Sequence, residues 1–311
     1  MDVMFKPIIY ICIIFLAAAL KKAGLFQNGD SRILSKIVMN FTLPAAIISS
    51  FVSFEQDTSL LLLIPIGFLS GFMPLLIIFF FTKKMPVKDR IYYMINLGGH
   101  NIGSFTLPIM TSFFGAPGII VCVMFDVGNA VMMTGGSYAM TTSLLHLNGD
   151  EKKQSIFITL KSLAKEFFTS FPLDVYLVML VFVVFKIHMP QVVGTFLAPI
   201  ASANPFLSMF MIGLMFQFSA KKTFLNDIIR LVLLRIGFSA CVSVLTYYLT
   251  PFPLEVRQIL AVVAFAPIGS LAPIFVEKRG GDVAKSGFAT TVSIIASFIV
   301  MVVLSTLFLA T

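Results

Sequence analysis

Gly98-Gly99-His100-Asn101-Ile102-Gly103-Ser104-Phe105-Thr106-Leu107-Pro108 interrupts, with glycines and polar side chains, an apolar segment long enough to cross a membrane. Lipid offers no water to exposed N–H and C=O groups, so unwound backbone survives at that depth only where protein packs on it or a wet cavity borders it. A second interruption, Ala266-Pro267-Ile268-Gly269-Ser270-Leu271-Ala272-Pro273-Ile274, stands in the other half of the chain. Two broken helices at corresponding positions mark a binding centre of the kind secondary transporters build.

The rest of the composition agrees with a bilayer setting. Of 311 residues 58% are hydrophobic and 12% charged, about half the charge fraction of roughly 25% found in globular domains, and mean hydropathy is +0.99. At about 20 residues per crossing, the chain has room for ten spans and no separate soluble domain. The net charge of +8 does not point to nucleic acid, because the basic residues fall in small groups between apolar runs. Cys12, Cys122 and Cys241 lie inside apolar runs without metal-ligand spacing and read as packing residues. Lys21-Lys22 follow the first apolar run rather than precede it, the reverse of a secretory signal.

The expected spans are Met4–Leu20, Leu34–Val52, Leu60–Phe81, a fourth that holds the first interruption and ends near Phe114, and Ile119–Leu145. After a loop come Pro172–Phe185, Val192–Phe216, an eighth span that Lys221, Lys222 and Arg230 lead into and that ends near Leu249, Val256–Val276 with the second interruption, and a tenth to the chain end. In the loop, Asn148 to Thr169, lysines alternate with apolar residues at helical spacing and predict a helix on the inner membrane surface. Gly67 and Gly71 in the third span have the spacing of close helix packing.

Loops after the odd-numbered spans hold 18 of the 22 Lys and Arg, and the other side holds Lys6, Lys186 and Arg257. That bias puts both termini outside. Pro7 and Pro172 are 165 residues apart, Pro44 and Pro205 161, Arg90 and Arg257 167, and Gly103 and Gly269 166. The fold expected is therefore all-α and integral to the membrane, ten transmembrane helices in a 5+5 inverted repeat with crossed broken helices 4 and 9. Residues 1–147 form the first five-helix repeat, 148–171 a cytoplasmic connecting loop with an amphipathic helix, and 172–311 the second repeat.

After the first break, Ser104 and Thr106 are placed to cap a new half-helix, with Pro108 in its first turn; Ser270 and Pro273 repeat the arrangement. Inversion brings both half-helix N-termini to one pocket, which favours an anionic group. Asn101, Gly103, Ser104, Thr106, Asn129, Pro267, Ser270, Asn40 and Asn204 are the substrate-binding candidates. Asp126 and His100 are the coupling candidates; an ionisable residue inside a span costs about 2.5 to 3.5 kcal/mol on insertion scales, so a use is expected. A capping role for Asp126 and a packing role for His100 remain equal alternatives. Arg235, the one basic residue left inside a span, reads as snorkelling toward the inner surface.

Asn101 to Pro108 resembles the fourth-helix motif of the auxin efflux carrier family, usually Asn-Thr-Gly-Phe-Leu-Gly-Ile-Pro, and Phe125-Asp126-Val127-Gly128-Asn129 is similar to the segment that follows it. Asn40 to Pro44 and Asn204 to Gly213 resemble its second and seventh helices. The resemblance implies a ten-helix fold shared with bile acid symporters, a panel-like scaffold domain and a core domain with crossed helices 4 and 9. Its bacterial members are associated with small carboxylates. Ser104 and Thr106 depart from the Phe and Gly of the usual motif.

No Gly-x-x-x-x-Gly-Lys-Ser/Thr nucleotide loop occurs, and no second intramembrane acid or ligand set accompanies Asp126 and His100, so no enzyme, cofactor or metal is expected. The expectation is a permease for a small organic anion in the cell membrane, working by elevator or rocking motion. A membrane-embedded ligand sensor of the same fold is the alternative. Proton or sodium coupling and a homodimer are left open.

Overall fold

The computed structural model describes residues 2–27, 29–52, 58–147, 171–185, 187–215 and 224–310. The expected surface helix in the loop after Asn148 lies outside them. Helix α1 is Asp2–Lys22; α2, Asp30–Ile37, passes through a π turn, Val38–Thr42, into α3, Leu43–Val52. Then come α4, Leu63–Phe81; α5, Val87–Leu97; a second π turn, Ile102–Thr106, leading into α6, Leu107–Val131; and α7, Ser137–Leu144. The second half holds α8, Phe171–Val184; α9, Gln191–Ser202; α10, Asn204–Met215; α11, Leu225–Leu249; α12, Leu254–Val263; α13, Ala272–Lys278; and α14, Val283–Ala310.

Among the described residues six helical stretches are long and apolar enough to cross a membrane: 30–52, 59–81, 102–144, 191–215, 225–249 and 283–310. Large apolar side chains on the outside agree with a lipid-facing surface, Phe81 being 81% exposed and Phe196 78%. A water-soluble chain does not expose so many of them together. Cys122 is buried as the packing reading expects, whereas Cys12 and Cys241 are on the outer surface.

α1 lies on α10, α3 on α9, and α8 beside α3; α4 packs on α6, α11 on α12 and α14, and α13 on α14. α6 joins these sets, packing also on α3, α10 and α8 within one continuous apolar core. Gly67 and Gly128 set the tightest approach: a Cβ on Gly67 would overlap the Phe125 carbonyl, and one on Gly128 the Ile64 carbonyl. α4 and α6 therefore touch backbone to backbone, which is the packing role expected of the Gly67–Gly71 spacing.

Stretch 102–144 is folded on itself. Gly115 has φ 61° and ψ −135°, a conformation that costs glycine least. Gly118 lies against the Met110 carbonyl, although a straight helix would separate residues eight apart by about 12 Å. The expected end of the fourth span at Phe114 is this turn, and the chain beyond it runs back past the first break.

Two of the three π turns among the described residues, the third being Met132–Gly136, run into the same tetrapeptide, Phe41-Thr42-Leu43-Pro44 and Phe105-Thr106-Leu107-Pro108. A proline ring clashes with the carbonyl four residues back. Widening the turn, with Leu43 N–H reaching Val38 O and Leu107 N–H reaching Ile102 O, makes room for it.

Candidate functional site

The two breaks cross backbone to backbone. His100 and Ile268 form an antiparallel bridge, and Asn101 N–H donates to the Pro267 carbonyl at 2.9 Å. Proline has no N–H to return that bond, and the Asn101 carbonyl instead accepts from Thr106 N–H and Thr106 Oγ1. Side chains from the flanking helices complete the backbone pairing. Asn129 on α6 bonds both His100 N–H and His100 C=O, and Ser293 Oγ on α14 accepts from Ile268 N–H at 3.1 Å.

Two helix C-termini, those of α5 and α12, meet on one face of the crossing, each carrying the equivalent of about half a negative charge. Arg235 on α11 answers them. Its Nη1 faces Asn96 O at 3.2 Å, and its Nη2 faces Gly99 O at 2.9 Å, Ala266 O at 2.9 Å and Pro267 O at 2.8 Å. It also reaches His100 Nδ1 at 2.8 Å. A guanidinium only donates, so Nδ1 is the acceptor and the ring proton is on Nε2. Arg235 is 4% exposed. It does not snorkel: the carbonyls of the two breaks are nearer than the headgroups and need a cation.

On another face lies a cavity of about 120 Å3. The first break contributes His100, Asn101, Gly103 and Ser104; α6 contributes Asp126 and Ala130; the second break contributes Ser270. Met39, in the first π turn, and Tyr176, on α8, close it. Ser104 Oγ donates to Asn101 Oδ1, and Asn101 Nδ2 is buried without a partner. Asp126 Oδ1 accepts from Asn129 Nδ2 at 2.8 Å. Its Oδ2 and the Tyr176 hydroxyl both face Gly103, where a Cβ would stand 3.6 Å and 3.5 Å from them. The first-turn N–H groups of the new half-helix add donors on this side.

Of the expected site residues, Asn101, Gly103, Ser104, Ser270, Asp126 and His100 border the cavity, while Asn129 and Pro267 hold the crossing behind it. Four expectations need correction. Neither new half-helix has a side-chain cap: the first opens at Ile102 with Ser104 and Thr106 turned back onto Asn101, and the second has Leu271, not Ser270, at its N-cap. Thr106 is fully buried and outside the cavity. Asn40 is exposed and bonds Lys36 O, because Thr42, two residues on and so on the opposite side, takes the inward position. Asn204 is buried and ties the second and seventh spans through Thr42 Oγ1 at 2.9 Å, away from the cavity. Pro108 and Pro273 both sit near the starts of α6 and α13.

The sequence reading missed Tyr176, Met39 and Ser293, which carry no local signal. For Arg235 a signal existed: it was the one basic residue that the loop count did not place. A larger cavity of about 600 Å3, on the flank between α4 and α11, has almost wholly apolar walls, with Thr82, Tyr93 and Arg230 as its polar lining residues. Among the described residues no cluster of three or more His, Cys, Asp or Glu could hold a metal ion. No protein-family model matches the chain, and a search of curated proteins finds no match.

Proposed function

We propose that the chain is a secondary transporter of a small organic anion, of the auxin efflux carrier kind, with ten spans in a 5+5 inverted repeat and both termini outside the cell membrane. The crossing of two broken helices beside a polar cavity is the observation that carries this reading. The cavity volume of about 120 Å3 is well under the 300 Å3 or so of pockets for drug-sized ligands, which favours a small substrate. Asn101 Nδ2, held in place by Ser104, and the first-turn N–H groups supply donors for a carboxylate. Met39 and Tyr176 stand on elements other than the two breaks and α6, so a shift of those elements against the crossing would open one wall of the cavity, as alternating access requires.

Asp126 adds a condition. Two ionised carboxylates 4 Å apart repel by about 4 kcal/mol at an effective dielectric constant of 20. An anion beside Asp126 therefore binds together with a proton shared between the two carboxylates, and the reading becomes proton-linked transport. A thermal-shift panel of small carboxylates on the purified protein, followed by flux in proteoliposomes with and without a pH gradient, tests it. Uptake of a carboxylate that follows the proton gradient is expected. Binding without flux would support the ligand sensor instead, and competition by cationic compounds alone would defeat the anion site.

A further inference from the structure

We propose that Arg235 is a resident cation: its Nη2 fills, from within the chain, a coordination cage at the helix crossing that would otherwise take a soluble monovalent cation. Four acceptors surround that one nitrogen, Gly99 O at 2.9 Å, Ala266 O at 2.9 Å, Pro267 O at 2.8 Å and His100 Nδ1 at 2.8 Å. An Nη carries two hydrogens, so four acceptors at these distances cannot each receive a directed hydrogen bond. They are arranged as ligands around a centre of positive charge.

The surroundings support the same conclusion. Both breaks contribute carbonyls, and two C-terminal dipoles of about half a charge each match one unit of positive charge. Among the described residues no carboxylate pairs with Arg235, so the carbonyls are its counter-charge. The free space beside the guanidinium is about 10 Å3, at most the room one water needs. Cage and cation are therefore already matched. α11 is unbroken, so the tether also fixes the crossing to a continuous helix. The crossing then makes no demand on external sodium at this place, which narrows the coupling of the proposed transport to the proton at Asp126.

Thermal unfolding of the purified chain and its Arg235→Ala variant tests the cage. Each is measured in choline, sodium, potassium and methylguanidinium chloride at equal ionic strength, choline being too bulky to enter. The wild-type midpoint should be the same in all four. The variant's midpoint should fall by about 5 °C or more in choline and recover at least half of that in one or more of the small cations. A variant that keeps the wild-type midpoint in choline, or that is destabilised and responds to none of the three cations, overturns the proposal. If Arg235→Ala does not accumulate, Arg235→Lys and Arg235→Gln decide. The lysine ammonium in the same cage should give the higher midpoint, and equal midpoints overturn it. The flux arm alone rests on the transport reading. Rescue of the midpoint in a protein that moves no substrate defeats transport and leaves the cage standing, whereas wild-type flux without rescue defeats the cage alone.

Discussion

Asn129 holds the His100 backbone at both of its polar groups: Oδ1 accepts the His100 N–H at 2.9 Å and Nδ2 donates to the His100 carbonyl at 2.9 Å. One side chain thus acts as a neighbouring strand for a residue that helix hydrogen bonding has abandoned. Leaving a buried backbone group unpaired costs about 1 to 3 kcal/mol, so Asn129→Ala should destabilise by roughly 2 to 6 kcal/mol before relaxation. Asn129→Ser, with one oxygen, should fall between. A midpoint for Asn129→Ala within a degree of wild type would show that the crossing does not depend on this clamp.

Asp126 is the acceptor for the same Asn129 amide, and an asparagine in its place could still accept through its own Oδ1. Asp126→Asn should therefore fold. With Asp126 ionised, binding a carboxylate takes up one proton, so affinity should fall as pH rises, by up to tenfold per unit. The variant needs no such proton, and its affinity should be flat over the same range. Parallel pH profiles for wild type and variant, measured by substrate-induced thermal shift, would remove Asp126 from the coupling.

Much of this architecture was legible because lipid forbids ambiguity: a Gly-rich polar stretch within an apolar span can hardly be anything but a protected break. The meeting of the two breaks followed from that rule, while the end of the fourth span near Phe114 came from the run of apolar residues and the packing of Gly67 from its spacing to Gly71. The direction of individual side chains did not. Ser104 and Thr106 looked like caps because their residue type suits a cap, but the π turn before Pro108 starts the helix earlier and turns both hydroxyls back onto Asn101. The twice-used Phe-Thr-Leu-Pro was the available sign of that turn. Arg235 was misplaced because depth was counted along its own helix, while its partners come from residues 96 to 100 and 266 to 267, more than 30 positions away in sequence.

Topology has a direct test in the Gly115 turn. In a background lacking Cys12, Cys122 and Cys241, Ala116→Cys should react with a membrane-impermeant maleimide added outside. Asn148→Cys, in the loop that carries Lys152 and Lys153, should react only after the inner side is opened. Labelling with the two sides exchanged would invert the proposed orientation, and labelling of both from one side would end the five-span repeat.

Asn101 offers the sharpest probe of the substrate site. Asn101 lines the cavity; its Oδ1 is taken by Ser104 Oγ, while its Nδ2 is buried without a partner. A buried amide left unpaired in the empty site gains a full bond when a carboxylate arrives, and a hydrogen bond to a charged group contributes about 1.5 to 3 kcal/mol. Asn101→Ala should therefore weaken carboxylate binding roughly ten- to a hundredfold. Ser104→Ala, which only loosens the Asn101 amide, should cost less, and the double variant should show less than the sum of the two because both act through one group. Ser270, exposed on the cavity edge, should contribute least of the three. Asn40→Ala, on the far side of the second span, should bind as wild type does. Equal affinity for wild type and Asn101→Ala, with both proteins shown to be folded, would place the substrate elsewhere than beside this break.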